Sequence, residues 1–489
     1  MKYIIYDFET SGRSARFDQI LQAGIIVYDK KFLCIDKLNL KSRLNSDIVP
    51  SIGALIVNKL KIKNLLCENK TYYEMVLEIN KFLAQFERSF FLGFNSIYFD
   101  EEFFRQAFWE HFLFPYKTNS GGNKRGDILN FVTMIHAFRK KSINVKKNKK
   151  GRFTFKLESL AEANSFKNTN SHEAIADVEA TMKLMNLLSS KNKDFFHFFI
   201  KNSDAQNVEK RITQNRLFTY HNYLFNTHRI YLVKFLIKHP VYKNQLIGFD
   251  IKYDCSEIIN YNLNELKEIY KNKSFFRKIK INKQPTILEE IYGRKMEPYN
   301  SISEEEIELK LKQLQNPNFL NNLKTLLELD SIDRIDEGSQ EQKFEEETIY
   351  SQKLNYKDSS LMKYFHNENW ERKWAFAEKF TDNRLKYFAA KHIYRNFPSE
   401  LPRKVFVYLH QKISQRINSF NKESFITLIN AREESSKLMT DLGDENSLIN
   451  SKDQIIEYNI YINFLNDYYN DSNPRPLRFD NTLSKELFG

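Results

Sequence analysis

Two carboxylates that directly follow a short apolar run constrain this 489-residue chain more than any other feature. Tyr3 to Tyr6 is apolar and β-prone, and its length and composition favour a buried strand over a helix. The run ends in Asp7-Phe8-Glu9. Because residues two apart on a strand point to the same face, Asp7 and Glu9 are expected side by side. Carboxylates that close repel each other unless a cation lies between them, so the pair predicts a Mg²⁺ or Mn²⁺ site. The alternative is an exposed acidic pair at a strand end.

Two later segments add side chains of related chemistry in a fixed order along the chain. Residues 90–100 are strand-like, contain Asn95 and end in Asp100, which makes an Asn-x4-Asp pair. A helical segment further on contains His172 and Asp177, which are five residues apart. Because five residues rotate about 140° around a helix, His172 is expected at or before the first turn, where it can reach the same site as Asp177.

The ordered set of Asp-x-Glu, Asn-x4-Asp and His-x4-Asp resembles the DEDD-type 3′→5′ exonucleases of the ribonuclease H-like superfamily, in the branch with a histidine base. Within that branch the chain resembles the bacterial exodeoxyribonuclease I family over nearly its whole length. Asn282-Lys283-Gln284-Pro285 and residues 385–390 carry this resemblance in the later parts of the chain.

The resemblance implies three domains. The first, residues 1–190, is expected to be an α/β ribonuclease H-like exonuclease domain with a mixed sheet flanked by helices. The second, residues 191–345, is expected to be a small SH3-like β-barrel domain with a helical extension and an acidic linker. A C-terminal helical domain is expected over residues 346–489.

The resemblance also implies a role for each residue of the set. Asp7 would bridge two Mg²⁺ ions, with Mn²⁺ as the alternative metal, and Glu9 and Asp177 would complete the first metal site. Asp100 would hold the second ion. His172 would act as general base, a task that suits an imidazole with a pKa near 6.5. These five residues are the predicted catalytic set, and the four carboxylates are the predicted metal ligands.

Four residues are predicted to contact the substrate: Glu9, Gln22, Asn95 and Arg139. For Gln22 the alternative is a hydrogen bond within a polar turn. Arg139 is also the position at which the resemblance places a binding site for the C-terminal tail of the single-stranded-DNA-binding protein.

Arg139 begins the most basic stretch of the chain, residues 139–156. Phe153 and Phe155 interleave with its charges, as base-stacking platforms would. The alternative is a solvated basic loop, which is the usual role of a charge run.

The remaining patterns predict individual elements. Strands are expected over residues 23–28, 32–40, 90–100, 224–237, 245–253 and 275–281. Helices are expected over 72–86, 101–112, 171–188 with Ser171 as N-cap, 303–329 and from Asp127, as N-cap, to Arg139. Residues 330–347 are acidic and polar, which predicts a linker.

Composition sets broader limits. The net charge of +13 favours a polyanionic partner, although a generally basic surface would give the same value. No long apolar run is present, so no membrane partner is expected. Three cysteines without metal-ligand spacing and a start that reaches Asp7 before any signal-peptide core favour a cytoplasmic location. The protein is also expected to be a monomer.

The sequence therefore predicts a 3′→5′ exonuclease that degrades single-stranded DNA to 5′-mononucleotides by two-metal-ion phosphodiester hydrolysis, with a role in DNA repair and recombination. Two alternatives stay open. One is an exoribonuclease that trims RNA ends, and the other is a single-strand-binding module whose catalytic site has decayed.

Overall fold

The predicted N-terminal strand lies in the centre of a five-stranded mixed sheet. The computed structural model describes residues 1–166, 173–272, 275–338, 344–351, 353–421, 423–441 and 449–489. The strands of this sheet are β1 (Tyr3–Thr10), β2 (Ile20–Tyr28), β3 (Cys34–Lys41), β4 (Phe90–Gly93) and β5 (Lys124–Asp127). Their order is β3-β2-β1-β4-β5, with β1 antiparallel to β2 and parallel to β4. Ile4 and Ile5 are fully buried, as the apolar run predicts.

Helices pack on both faces of this sheet, because its two faces bury separate apolar clusters. The helices of this part are α1 (Ile52–Val57), α2 (Ile62–Cys67), α3 (Tyr72–Leu83), α4 (Asp100–Glu110), α5 (Ile128–Phe138), α6 (Leu157–Ala163) and α7 (Ala174–Lys191). Met75, Val76 and Ile79 of α3 are buried, as their helical spacing predicts.

The middle of the chain forms a second sheet, which is antiparallel throughout. Its elements are α8 (Lys193–Asn202), α9 (Ala205–Gln214), β6 (Phe218–Leu224), β7 (Thr227–Lys238), β8 (Gln245–Asp250), α10 (Leu263–Asn272), β9 (Phe276–Lys280), β10 (Thr286–Glu289), α11 (Glu290–Arg294), α12 (Glu304–Gln313) and α13 (Pro317–Gly338). The strand order is β10-β6-β7-β8-β9. This sheet lies where the small β-barrel domain is expected.

The C-terminal part is helical. It contains α14 (Tyr356–Phe365), α15 (Trp370–Ala377), α16 (Asn383–Asn396), α17 (Arg403–Ile417), α18 (Leu428–Asp441), α19 (Ile449–Tyr469) and α20 (Asn481–Phe488). Its largest apolar core includes Leu44, Ile48 and Leu65 of the N-terminal part. The two parts therefore fold against each other, and the domain boundaries stay predictions. Among the described residues, no helix is both long and apolar enough to cross a membrane.

The strand predicted over residues 90–100 is wrong after Gly93, where β4 ends. Asn95 has a left-handed backbone with φ of 61°. The N–H groups of Asn95 and Ile97 donate to the Asp127 carboxylate at 2.8 and 3.2 Å. These contacts turn the chain out of the sheet, so Asp100 is the first residue of α4 and not the last residue of a strand.

Two other predictions need correction. The strand predicted over 224–237 begins only at Thr227, because Phe225 and Asn226 form a tight turn, with φ of 52° and 59°, between the end of β6 at Leu224 and the start of β7. The acidic linker predicted over 330–347 is wrong for residues 330–338, which continue α13. It is also wrong at Glu346, which is fully buried and paired with Lys391 at 2.5 Å. Acidic composition alone does not reveal such a tertiary partner.

A buried charge network joins the N-terminal and C-terminal parts. Asp47 accepts two bonds from Arg395, at 2.6 and 2.9 Å, and one from Arg416 at 3.2 Å. Burial alone would raise the pKa of Asp47, but Arg395 and Lys391 hold it well below its usual range. The same kind of pairing lowers the pKa of Glu346 to about 2. Since each buried charge has partners of opposite sign, the network fixes how the two parts meet.

Candidate active site

Strand β1 places the first two carboxylates. Asp7 lies opposite Gly24 of β2, and Glu9 lies opposite Gln22. The two carboxylates share one face of the sheet, as their spacing predicts. Glu9 is 8% exposed and Asp7 is partly buried, so neither is a freely solvated surface charge.

The start of α7 brings Asp177 over this strand. Asp177 is in the first turn of α7, and ligand oxygens of Asp7, Glu9 and Asp177 lie within 4.8 Å of one another. Gly24 makes this approach close enough, because a Cβ at that position would be 2.6 Å from Ala174 C and from Ile175 N. The helix backbone therefore rests directly on β2 beside Asp7.

Asp100, the first residue of α4, approaches the same end of β1. Its Oδ1 accepts a hydrogen bond from the backbone N–H of Phe8, at 3.0 Å. The next residue, Glu101, is fully buried and anchors the start of α4. Glu101 accepts bonds from the Tyr6 hydroxyl at 2.8 Å and from Arg125 Nη1 at 2.6 Å. The Asp100 carboxylate is thus held at Phe8, the residue between Asp7 and Glu9 on β1.

Electrostatic strain among these carboxylates is large. Burial and the charges of Asp100, Glu9 and Asp177 raise the pKa of Asp7 well above its usual range. Burial and the charge of Asp177 raise the pKa of Glu9 to about 7. Burial also raises the pKa of Asp100 well above its usual range. The hydrogen bond from Phe8 N–H lowers this pKa, while the charges of Asp127 and Glu9 raise it further.

This arrangement fits divalent cations of the hard, oxygen-binding kind. Asp7, Glu9 and Asp177 supply clustered carboxylate oxygens, the ligand atoms that Mg²⁺ and Mn²⁺ prefer. Bound cations would also remove the mutual repulsion that raises the pKa of each carboxyl group.

The other predicted site residues lie in three different environments. Asn95 is exposed and lines a cavity of about 690 Å³ together with Asp177. Gln22 is 2% exposed, and its Nε2 donates to Asn39 Oδ1 at 3.0 Å within the sheet. His172 and Ser171 lie outside the described residues, and α7 begins at Ala174 with Glu173 as its N-cap.

Arg139 is not part of the carboxylate cluster. It follows the last residue of α5, and the 11 residues of that helix span about 16 Å from the Asp127 end. Its guanidinium stacks 4.9 Å from the Phe195 ring centre and reaches Asp194 at 3.3 Å. Asp127 is the N-cap of α5, as predicted, and accepts a bond from Leu129 N at 2.9 Å.

The basic stretch does not present two aromatic platforms. Phe155 is 8% exposed and packs against the rings of Tyr223 and His136. Lys140 and Lys147 lie over the Phe153 ring, at 5.2 and 5.3 Å from its centre. Both phenylalanine rings therefore make contacts within the protein, and these contacts pack the basic loop against its neighbours.

Sequence reasoning missed residues that support the cluster from elsewhere. Gly24 is one, and a glycine inside an apolar strand is a known sign of close backbone approach. Lys283 is another, since its Nζ donates to Glu102 Oε1 at 3.0 Å and to Ile97 O at 3.3 Å. Gln284 accepts a bond from the Asp127 N–H at 2.7 Å. These contacts fix the loop that precedes Asp100, and no local signal indicates them.

Comparisons with known proteins place this geometry in a family context. Residues 4–185 match the RNase_T family model, described as Exonuclease. Exodeoxyribonuclease I of Haemophilus influenzae is 28% identical over 280 residues, which are 55% of this chain and 59% of that protein. The chain is similar to bacterial exodeoxyribonuclease I. The Escherichia coli K12 protein of the same name is 25% identical over 272 residues, 54% of this chain and 57% of that protein.

These sequence matches span less than two thirds of each relative, whereas the fold extends further. E. coli exonuclease I, solved in complex with a dA16 oligonucleotide, superimposes with a TM-score of 0.80 at 20% identity. The superposition covers 95% of this chain and 99% of that one. Exonuclease I from Methylocaldum szegediense gives a TM-score of 0.82 at 18% identity, with the same coverage. The predicted three-part fold class is therefore confirmed.

Proposed function

We propose that the protein is a 3′→5′ exonuclease that degrades single-stranded DNA to 5′-mononucleotides by two-metal-ion hydrolysis. The observation that carries the proposal is the convergence of Asp7, Glu9 and Asp177 within 4.8 Å at one end of β1, with Asp100 bonded to the strand between them. The match of residues 4–185 to an exonuclease family supports it. A role in DNA repair and recombination belongs to the same proposal.

The carboxylates divide into two groups of metal ligands. Asp7, Glu9 and Asp177 would hold the first Mg²⁺, and Asp100 would hold the second together with Asp7. Bound divalent cations would activate a water molecule and neutralise charge on the scissile phosphate. His172 is proposed as the general base from its sequence position, since it lies outside the residues that the structure describes.

The chain's own contacts prepare the site for this chemistry. The Phe8 N–H orients the Asp100 carboxylate, and the Glu101–Arg125 pair prevents the start of α4 from moving. Asn95 is exposed and lines the same cavity as Asp177, which supports its proposed contact with the sugar or phosphate of a terminal nucleotide.

A series of neighbouring cavities beside the carboxylates is the path that we propose for a single strand. Four cavities share lining residues in series: the first, lined by Glu9, shares Arg13 with the second. The second shares Tyr98 with the third, and the third shares Tyr223 with the fourth, which Asp177 lines. The cavities therefore neighbour one another in this order, and the two at the ends of the series are lined by Glu9 and by Asp177.

The middle of this path is basic. Glu102 is the acidic residue that lines its two central cavities. Six basic residues line them as well: Arg13, Arg16 and Arg105 of the N-terminal part, Lys278 and Lys280 of β9, and Lys283 just after β9. Tyr98, which is 65% exposed, lies where the two cavities meet. Basic side chains beside an exposed ring are the combination that binds single strands without sequence preference.

The protein partner is proposed at the far end of α5. Arg139 is held there over Phe195, with its side chain still 45% exposed. Such a charge could receive the carboxylates of an acidic tail, which is the role proposed for the single-stranded-DNA-binding protein. An exonuclease I has been solved with that protein, which supports this assignment.

The test of the enzymatic proposal uses single-stranded DNA labelled at its 5′ end, with and without Mg²⁺. We expect a ladder of products that shortens from the 3′ end only with Mg²⁺, and no product with Asp7→Asn. Asp36→Asn is the matched control, because Asp36 is an exposed strand carboxylate on β3 away from the cluster. Full activity of the Asp7→Asn variant would contradict the proposal.

The same assay separates DNA from RNA. An RNA strand of matched sequence is expected to be degraded much more slowly than the DNA strand. Equal or faster RNA degradation would favour the exoribonuclease alternative. Binding of DNA without any product would favour the decayed binding module.

A further inference from the structure

The turn between β6 and β7 has a conformation that opposes its own sequence. Phe225 and Asn226 both have positive φ, 52° and 59°, and Leu224 pairs with Thr227 across the turn. Two positive φ values in a two-residue hairpin loop indicate a type I′ turn, for which Asn-Gly is the favoured pair. A phenylalanine in the left-handed region is disfavoured because its Cβ crowds the following carbonyl.

The Phe225 side chain does not contribute to the packed interior. Its ring is 89% exposed, and the preceding Leu224 is 46% exposed. Neither residue belongs to the apolar clusters formed by the described residues. A residue held in a disfavoured backbone conformation points to a functional role, and an exposed ring at such a position is available to a molecule outside the protein.

The hairpin holds this ring at a fixed place on the nuclease part. Tyr223 Oη donates to Phe153 O at 3.3 Å, and its ring packs edge-on against Phe155 at 4.7 Å. His228 is hydrogen-bonded to His136 of α5 at 2.8 Å. The turn is therefore anchored to the element that begins beside Asn95 and is not an independent surface loop.

The place is the rim of the active-site cavity. Asn226, the second turn residue, lines the cavity of about 690 Å³ that Asp177, Asn95 and Lys156 also line. Lys156 supplies a cation for a phosphate in that cavity. The adjacent Phe225 ring is thus within one residue of a space that holds a predicted metal ligand and a basic side chain.

We propose that Phe225 is a nucleobase-stacking residue that grips the single strand beside the scissile nucleotide. The inference rests on the proposed exonuclease function and deepens it. Every base offers a π-face, so stacking on an exposed ring binds a strand without reading its sequence. Stacking also needs an unpaired base, which gives the site a reason to prefer single strands.

The experiment measures binding without hydrolysis. Oligonucleotides that carry one 2-aminopurine at successive positions from the 3′ end are titrated with protein in EDTA. With the unmodified protein, and with Phe225→Tyr, fluorescence is expected to fall at one position near the 3′ end. With Phe225→Ala, that fall is expected to disappear, and Kd is expected to rise about 5- to 160-fold, the range for removal of one stacked base.

Tyr356→Ala is the matched control, because Tyr356 is also 89% exposed but lies at the start of α14. Its Kd is expected to stay within twofold of that of the unmodified protein. An unchanged Kd for Phe225→Ala, or an equal rise for both variants, would overturn the proposal. A Phe225→Ala variant that alters only self-association would assign the ring to a protein contact and would also overturn it.

A hydrolysis assay keeps the two proposals separate. If Phe225 stacks on a bound base, Phe225→Ala is expected to raise KM by the same factor as Kd and to leave kcat within about twofold. If the unmodified protein does not hydrolyse DNA, the exonuclease proposal fails. The fluorescence titration still reports whether Phe225 contacts a base.

Discussion

Replacement of Gly24 by alanine is expected to damage the active site without touching any proposed ligand. Gly24 lies on β2 opposite Asp7, and the backbone of α7 passes directly over it. An alanine Cβ would be 2.6 Å from Ala174 C and from Ile175 N, and ordinary contacts begin at 3.4 Å. Both atoms belong to backbone, so they cannot rotate away as the end of a flexible side chain could.

The size of the effect follows from that distance. The contact is 0.8 Å too short, so the start of α7 must move away from β2 by roughly that amount. Asp177 is in the first turn of α7 and would move with it. A misplacement of about 1 Å in a catalytic constellation can lower the rate about 100-fold. The overpacking itself is expected to lower the free energy of unfolding by about 1–3 kcal/mol.

The assay compares single-stranded DNA hydrolysis by Gly24→Ala, Asp177→Asn and the double variant, each over a range of Mg²⁺ concentrations. If alanine acts by moving Asp177, the Gly24→Ala variant needs more Mg²⁺, and the double variant is no less active than Asp177→Asn alone. Additive losses in the double variant, or full activity of Gly24→Ala at ordinary Mg²⁺ concentrations, would refute this reasoning.

Three further outcomes are expected. Because the pKa of Glu9 is raised to about 7, the contribution of Glu9 to stability is complete at low pH and is lost as pH rises through 7. Thermal shift assays should therefore find that Mg²⁺ raises Tm more at pH 8 than at pH 5. An equal rise in Tm at both pH values would contradict this. Asp47→Asn removes the carboxylate that pairs with buried Arg395 and Arg416, which keep only longer contacts to Glu110 at 3.7 Å and to Glu346 at 3.4 Å. The variant is expected to lower the free energy of unfolding by about 3–5 kcal/mol in urea titrations. Since the pKa of Asp47 is lowered, that loss should shrink as pH falls toward the pKa of the folded state, and a loss independent of pH would contradict it. Arg139→Ala is expected to weaken binding of a C-terminal peptide of a single-stranded-DNA-binding protein roughly tenfold, because one charge-assisted contact is lost. Anisotropy titrations measure this binding, and Lys141→Ala, the control, should have little effect on it.

Local patterns predicted most of the elements that hold the site. The apolar run before Asp7, the 3.6-residue spacing in α3 and the N-cap at Asp127 are all determined by neighbours in the chain, and each is where the sequence places it. The spacing of Asp7 and Glu9 also placed both on one face, because strand geometry alone decides that. Contacts between distant residues account for the errors. Asp127 turns residues 94–99 out of the sheet, and Lys391 buries Glu346 in a segment that is acidic enough to resemble a linker.

By itself, the sequence predicted which side chains would carry the proposed chemistry and determined the strand that presents two of them, Asp7 and Glu9. Only the tertiary structure decided how closely the four carboxylates meet. That distance depends on a helix resting on Gly24, on a buried Glu101–Arg125 pair and on a turn from another part of the chain that clamps the loop before Asp100. Such contacts join residues tens to hundreds of positions apart, and their energies come from burial and charge pairing, which no local pattern of residues records.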